Sequence, residues 1–222
     1  MVGIDQYIKD LITECRIAFS DRLLYIGLQG SYLRGEANEN SDIDIMLILD
    51  RFSVEDMDAY RAVLKKIGYC EKACGFICGK EDMAKWNPLE VCQLQHTTKD
   101  LYGSLCDYLP FASRSDEINY VKLGVGNLYH ALCHRYIHSD RDKSIRKLRD
   151  SGKELFFLIQ NLHYLESGVF AKTKKELQTI VSEEDRKMLS FGDLPDVYDF
   201  DKTFRSVFQW CQNALCRLDR MQ

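Results

Sequence analysis

The stretch from Leu28 to Leu49 constrains the fold more than any other part of the chain. It reads LQGSYLRGEANENSDIDIMLIL, and an apolar segment that starts at Leu23 leads into it. The apolar residues before Gly30 predict a strand, and Gly30 with the polar run after it predicts a tight turn and a short helix. The apolar residues that follow predict a second strand. The second strand, Asp42 to Leu49, is apolar at nearly every later position, which predicts a buried, central strand.

Two carboxylates enter the second strand together. Residues two apart in a strand point to the same face, so Asp42 and Asp44 project side by side while Ile43 and Ile45 face a core. Like charges at that spacing repel each other unless a cation lies between them. Carboxylate oxygens completed by substrate phosphates suit Mg²⁺. On their own, however, the two aspartates would favour a solvated surface hairpin.

The residues before the carboxylates change that interpretation. Gly30 lets the backbone come close to a ligand, and Ser31 offers a hydroxyl and an N–H at the start of a short helix, where phosphates bind. Gly35 follows four residues later. Because these residues stand in this order between two apolar strands, we expect a site that binds both metal and phosphate.

This pattern resembles a known family. Gly30-Ser31, Gly35 and Ser41-Asp42-x-Asp44 are similar to the signature of the DNA polymerase beta-type nucleotidyltransferase superfamily, and within it to the bacterial minimal and aminoglycoside (kanamycin-type) nucleotidyltransferases. The motif covers about a tenth of the chain. The resemblance implies an α+β fold of the α/β-type nucleotidyltransferase kind, with a small mixed sheet, flanking helices and a C-terminal helical bundle. It also implies Mg²⁺ as cofactor and an NTP, with ATP expected, as substrate.

The resemblance further implies a third acidic residue on a strand beside the aspartate pair. Residues Glu90–His96 alternate like a strand and Glu90 begins it, so we expect Glu90 to join Asp42 and Asp44 as a catalytic and metal-binding residue. Asp100, which borders the next apolar piece, is the alternative. Either residue could instead be a solvated carboxylate at a strand end.

The two halves of the chain differ in character. Strand-like runs and glycines fill the first half, where helices are predicted over Ile4–Phe19 and Ser53–Ile67. The second half shows helical periodicity only. Its predicted helices are Asp116–His138, Asp142–Leu165, Lys174–Met188 and Asp201–Met221. We therefore expect a nucleotidyltransferase catalytic domain over residues 1–112 and a helical bundle domain over residues 113–222.

Several other residues could carry chemistry. Relatives in the wider superfamily place a helix lysine on the phosphates, which makes Lys153 a candidate nucleotide-binding residue, although an exposed surface lysine is an equal expectation. Three histidines share one helical face and are expected to be partly buried in the bundle rather than to bind metal. They are His130, His134 and His138. Cys70, Cys74 and Cys78 are expected to be buried thiols rather than zinc ligands.

Composition limits the remaining classes. The chain has 222 residues and a net charge of −4, which argues against nucleic acid as a partner. Nine cysteines without a paired framework, no secretion signal and no long apolar run predict a cytoplasmic protein that does not contact membrane. The expected partners are a nucleotide and an unidentified acceptor, with homodimer formation left open.

These observations lead to one functional hypothesis and one alternative. The hypothesis is transfer of a nucleoside monophosphate to an acceptor hydroxyl, on a small molecule such as an aminoglycoside-type antibiotic or on a protein side chain, with release of pyrophosphate. The alternative is a non-catalytic nucleotide-binding or antitoxin-like partner module built on the same fold.

Overall fold

The computed structural model describes residues 3–195 and 198–222. The chain divides into two units, Met1–Ala112 and Ser113–Gln222. The first unit combines a small mixed sheet with helices, and the second unit is helical throughout its described elements. The predicted fold class, a mixed sheet with flanking helices followed by a helical region, is therefore confirmed.

The sheet of the first unit has four strands in the spatial order β3-β2-β1-β4. The strands are β1 (Leu23–Leu28), β2 (Ile43–Leu49), β3 (Ala73–Gly79) and β4 (Lys99–Tyr102). β2 runs antiparallel to β1 and parallel to β3, while β4 runs antiparallel to β1. As predicted, β2 is an inner strand, and all its residues from Ile45 onward are buried.

The alternation of β2 serves two separate cores. Ile43, Ile45 and Leu47 pack with buried residues of α1 (Ile4–Phe19) and α3 (Val54–Ile67). Met46 and Ile48 face the other side of the sheet, in a smaller cluster with Tyr25, Cys78, Met83 and Leu105. Because side chains two apart share a face, Asp44 lies on the same side of the sheet as Met46.

Local signals account for the first helices. α1 has the predicted bounds, Ile4–Phe19. Ser53 caps α3, since its hydroxyl accepts the N–H of Asp56 at 3.4 Å while the Asp56 carboxylate accepts the Ser53 N–H at 3.0 Å. Gly68 ends α3 with a φ of +86°, a conformation that favours glycine.

The prediction of a strand over Glu90–His96 is wrong. After a short helix α4 (Lys80–Ala84), the chain forms α5 over Pro88–Thr97. Asn87 accepts the N–H of Leu89 at 3.1 Å, and Pro88 occupies the first helical position. An Asn cap followed by Pro is a helix-start signal, and it outweighs the short apolar–polar alternation of the residues that follow.

The second unit contains six helices among its described residues. They are α6 (Arg114–His138), α7 (Arg141–Asp150), α8 (Gly152–Ser167), α9 (Lys174–Ile180), α10 (Glu183–Leu189) and α11 (Phe200–Asp219). The single helices predicted over Asp142–Leu165 and Lys174–Met188 are each divided in two. The first break falls at Ser151, and the second at extended Val181, after which Ser182 accepts the N–H of Asp185 and starts α10.

Among the helices of the described residues, none combines the length and the hydropathy that crossing a bilayer requires.

A buried carboxylate joins three elements of the second unit. Asp185 is 2% exposed and accepts hydrogen bonds from Trp210 Nε1 at 2.7 Å and from Arg217 Nη1 and Nη2 at 2.9 and 3.0 Å. Arg217 also contacts Glu166 at 2.6 Å. Burial alone would raise the pKa of Asp185, but the hydrogen bonds from Arg217 and Trp210 outweigh it and hold that pKa below its ordinary value.

Asp185→Asn should lower the free energy of unfolding by about 3 kcal/mol, because it removes one partner of a buried pair. Urea unfolding followed by far-UV circular dichroism measures this change. Since the folded-state pKa is lowered, the charged pair stabilises the fold above the unfolded pKa of about 3.9 and ceases to do so as pH falls through the folded value. The difference between variant and wild type should therefore shrink in acid.

Asp201→Asn is the matched control for that variant. Asp201 forms an ion pair with Arg141 at 2.6 Å, but both side chains are at least half exposed. Such a pair contributes at most about 1 kcal/mol. Equal losses from the two substitutions would show that the buried cluster has no special stabilising role.

Candidate functional site

Helix α2 (Gly30–Arg34) begins directly beside the Asp44 carboxylate. Gly30 has a φ of +68°, and a Cβ built there would lie 1.8 Å from Oδ2 of Asp44. The N–H of Gln29 donates to the main-chain carbonyl of Asp44 at 2.8 Å, which holds the turn against β2. The backbone conformation at position 30 favours glycine, and any side chain there would force the Asp44 carboxylate to move.

Ser31 occupies the second position of α2 and is half-buried. Its carbonyl accepts the N–H of Glu36 at 2.9 Å, just after the helix ends at Gly35 with a φ of +70°. The short helix therefore closes on itself within two turns. Its first residue, Gly30, lies next to the Asp44 carboxylate, and the predicted role of Gly30 and Ser31 in phosphate binding stays a prediction.

A tight loop positions Asp42 at the start of β2. The Ser41 hydroxyl accepts the N–H of Asn38 at 2.8 Å, and the Ser41 N–H donates to the Asn38 carbonyl at 3.1 Å. On the other side, the N–H of Ile43 donates to the Lys72 carbonyl at 2.8 Å. Asp42 thus lies between two residues whose backbones are both anchored.

The two carboxylates have no protein partner within residues 3–112. Asp42 is exposed and Asp44 is half-buried, and in that range no hydrogen bond or ion pair to either side chain is present. Asp42 directly precedes β2 and Asp44 is its second residue, and like charges this close repel each other unless a cation lies between them. Their hard oxygen atoms fit a divalent ion such as Mg²⁺, whose remaining positions substrate phosphates can fill.

The strands beside Asp44 carry no third acid. Its partner on β3 is Cys74, and on the other side Gln29 contacts the Thr98 hydroxyl at 2.8 Å. Within residues 3–195 and 198–222, no group of three or more His, Cys, Asp or Glu side chains is arranged to hold a metal ion.

The prediction of buried thiols holds for Cys78 but is wrong for Cys70 and Cys74, which are exposed.

Glu90 and Asp100 lie at different places in the first unit. Glu90 is exposed in the first turn of α5, where its carboxylate accepts Trp86 Nε1 at 2.7 Å. The Trp86 ring packs edge-on against the ring of Phe76 on β3, with 4.9 Å between the ring centres. Phe76 lies on the sheet face that carries Asp44. The roles proposed from sequence for Glu90 and Asp100 stay predictions.

Asp100 belongs to an arrangement that sequence reasoning missed. It pairs with Gly27 across β1 and β4, and its Oδ1 accepts the hydroxyl of the fully buried Tyr25 at 2.6 Å. A Cβ at Gly27 would lie 2.3 Å from that hydroxyl, so the glycine makes room for the ring. Burial, followed by the bond to Asp100, raises the pKa of Tyr25. Gly27 could have indicated this arrangement in advance, because a glycine inside a strand often marks a place where another group packs closely.

The remaining candidates lie in the second unit. Lys153 is exposed in the first turn of α8, and its predicted role in phosphate binding stays a prediction. His130, His134 and His138 all lie on α6, as expected. The expectation that they are partly buried is wrong, because all three are exposed.

Comparison with protein families identifies one match. Residues 8–78 match the model of a family described as "Nucleotidyltransferase domain". The matched span contains Gly30, Ser31, Asp42 and Asp44, and it ends before α5 and β4. A search of curated proteins gave no match.

Comparison with solved structures supports the fold. The chain resembles spectinomycin adenyltransferase AAD(9) from Enterococcus faecialis, crystallised with ATP and spectinomycin, with a TM-score of 0.57 and 13% identity over 97% of this chain and 99% of that one. At this identity the likeness shows the fold alone. A toxin–antitoxin structure with AMP-PNP aligns with a TM-score of 0.34 and 22% identity over 59% of this chain and 93% of that one. A score that low carries no argument.

Gly30→Ala should destabilise the protein more than Gly35→Ala does. Both glycines have a φ near +70°, but a Cβ at Gly35 meets nothing within 4 Å. Gly35→Ala should cost about 1 kcal/mol for the backbone conformation alone. Gly30→Ala should cost roughly 1–3 kcal/mol more, because the new methyl collides with Asp44. Chemical denaturation of the two variants measures the difference.

A double-mutant cycle tests the stated cause. In an Asp44→Ala background the two closest atoms, Oδ2 and Cγ, are gone and only the Cβ at 3.1 Å remains. The extra cost of Gly30→Ala should then fall. An unchanged cost in that background would mean that the collision with Asp44 is not its source.

Proposed function

We propose that this chain, whose residues 8–78 match the model of a nucleotidyltransferase domain, moves a nucleoside monophosphate from an NTP to an acceptor hydroxyl and releases pyrophosphate. One observation carries the proposal. The Gly30 turn lies against the carboxylate of Asp44, two residues after Asp42, and the Gln29 N–H holds that turn on the Asp44 carbonyl. This arrangement suits a phosphate and a cation bound together.

In the proposed reaction, the residues of the first unit would bind the phosphates and the metal ion. The backbone at Gly30 and Ser31 would bind and orient the phosphates, and Asp42 and Asp44 would hold Mg²⁺. When bound, the ion would neutralise charge on the phosphate oxygens and on the leaving pyrophosphate. The acceptor oxygen would attack the α-phosphorus in line with the departing pyrophosphate oxygen, so that one P–O bond forms as the other breaks. Position and charge account for most of the rate in such reactions.

We propose Glu90 as the base that takes the proton from the acceptor hydroxyl. It is an exposed carboxylate, and Trp86 and Phe76 connect it to the sheet face that bears Asp44. Asp100 is the weaker candidate because the Tyr25 hydroxyl already occupies its Oδ1. In the sheet, Asp100 is paired with Gly27 of β1, and Gly27 is paired with Met46 of β2. Asp100 is therefore in register with Met46 and not with Asp44.

ATP and a small hydroxyl-bearing acceptor are the first substrates to test. The solved structure with the same fold is an adenyltransferase crystallised with ATP and spectinomycin. The net charge of −4 is compatible with a cationic acceptor of the aminoglycoside type. Protein hydroxyl groups form the second acceptor class, and mass spectrometry for added nucleoside monophosphate distinguishes the two.

Asp42→Asn and Asp44→Asn should each abolish transfer and weaken Mg²⁺ binding, because each removes a charged oxygen ligand. Release of pyrophosphate from ATP in the presence of an acceptor panel measures activity, and calorimetry measures binding of Mg²⁺ and of a nonhydrolysable ATP analogue. Asp58→Asn is the control, since Asp58 is an exposed helix residue that pairs with Arg61 at 2.9 Å. Full activity in either site variant would refute the proposed role of the carboxylates.

Glu90→Gln should lower kcat by roughly 10²–10⁴-fold with little change in nucleotide affinity, as expected for loss of a general base. Asp100→Asn should retain turnover, because the amide oxygen can still accept the Tyr25 hydroxyl. Steady-state kinetics at saturating Mg²⁺ compares the two variants. The reverse result, with Asp100→Asn inactive and Glu90→Gln active, would assign the base to Asp100.

A further inference from the structure

A row of exposed histidines lies on α6, in the second unit. His130, His134 and His138 follow one another at four-residue spacing, so they share one face of the helix. The ring centres of His130 and His134 are 6.4 Å apart, and those of His134 and His138 are 5.0 Å apart. Because all three side chains are exposed, their ring nitrogens are open to an ion from solvent.

We propose that His134 and His138 bind a transition-metal ion of the Zn²⁺ or Ni²⁺ class. A zinc–nitrogen bond is about 2.0–2.1 Å long and a ring nitrogen lies roughly 1.1 Å from its ring centre, so two imidazoles that share a tetrahedral ion have centres about 5 Å apart. The His134–His138 separation of 5.0 Å meets this condition. The 6.4 Å between His130 and His134 would require a nearly linear arrangement at the metal.

The ligand set at this place is incomplete within the chain. No third His, Cys, Asp or Glu among residues 3–195 and 198–222 completes a metal-binding group with the pair. The bound ion therefore keeps coordination positions open for water or for a donor atom of another molecule, as ions do at sites that exchange ligands.

The chemistry of the ligands separates this site from the carboxylates of the first unit. Imidazole nitrogen favours Zn²⁺, Ni²⁺ and Cu²⁺, whereas carboxylate oxygen suits Mg²⁺. We therefore expect the histidine pair and the Asp42–Asp44 pair to select different ions. Mg²⁺ in excess should not displace Ni²⁺ from the histidines.

Calorimetric titration of the untagged, reduced full-length chain with Ni²⁺ tests the proposal. His134→Gln should weaken binding on the order of a hundredfold, because the ion then has one ligand instead of two linked ones. His130 and His138, which remain in that variant, lie about 12 Å apart along the helix and cannot share an ion. His138→Gln should weaken binding to the same degree.

His130→Gln is the matched control, since it removes an exposed histidine of the same row and leaves the proposed pair intact. Its affinity for Ni²⁺ should stay at the wild-type value. All nine cysteines are present in every variant, so binding to thiols cancels in the comparison. Circular dichroism shows whether each variant retains its helices, which exposed substitutions should leave unchanged.

Chemical protection gives a readout for each residue. Carbethoxylation with diethyl pyrocarbonate, read by peptide mass spectrometry, should be slowed by Ni²⁺ at His134 and His138 but not at His130. Wild-type affinity in His134→Gln would overturn the proposal. So would an equal loss in His130→Gln and His138→Gln, or the absence of protection at His134 and His138.

Discussion

Gly30 and Asp44 are packed so closely that each limits what can stand at the other position. A methyl group at position 30 would lie 1.8 Å from the Asp44 carboxylate, and the Gln29 N–H binds the Asp44 carbonyl at 2.8 Å. These contacts fix the start of α2 to the second residue of β2. The Gly30 turn and the Asp44 carboxylate are therefore held side by side, and the proposed chemistry depends on their staying together.

The place of this feature follows from the burial of β2. From Ile45 to Leu49 the strand is buried on both faces, so within β2 a polar side chain fits only before Ile45, where Asp44 stands two residues after Asp42. β1 runs antiparallel and pairs Leu28 with Ile45, so it ends at the same edge of the sheet where β2 begins. The topology that buries the core thus also brings the Gly30 turn to the two acids.

Features encoded in neighbouring residues could be predicted from the sequence, and those that depend on distant pairing could not. The turn at Gly30 and the strand from Asp42 to Leu49 are signalled within about twenty residues. The helical conformation of Glu90 was signalled by Asn87 and Pro88, but the alternation after them suggested a strand. The neighbour of Asp44 on β3 is set by strand register, which no local pattern specifies. The helix predicted over Asp142–Leu165 is likewise two helices, divided at Ser151. The spacing of apolar residues continues across the break, because it shows which face is buried and not where the backbone leaves the helix.

Asp185 and Asp44 differ in how the protein surrounds a carboxylate. Asp185 is 2% exposed, and Arg217 and Trp210 satisfy its oxygens, so its charge contributes to the stability of the helical unit. Asp44 is half-buried, stands near another aspartate and has no such partner within residues 3–112. Stability alone would favour an apolar residue or a paired charge at that position. In the function proposed above, a cation bound at Asp44 would play the part that Arg217 plays for Asp185.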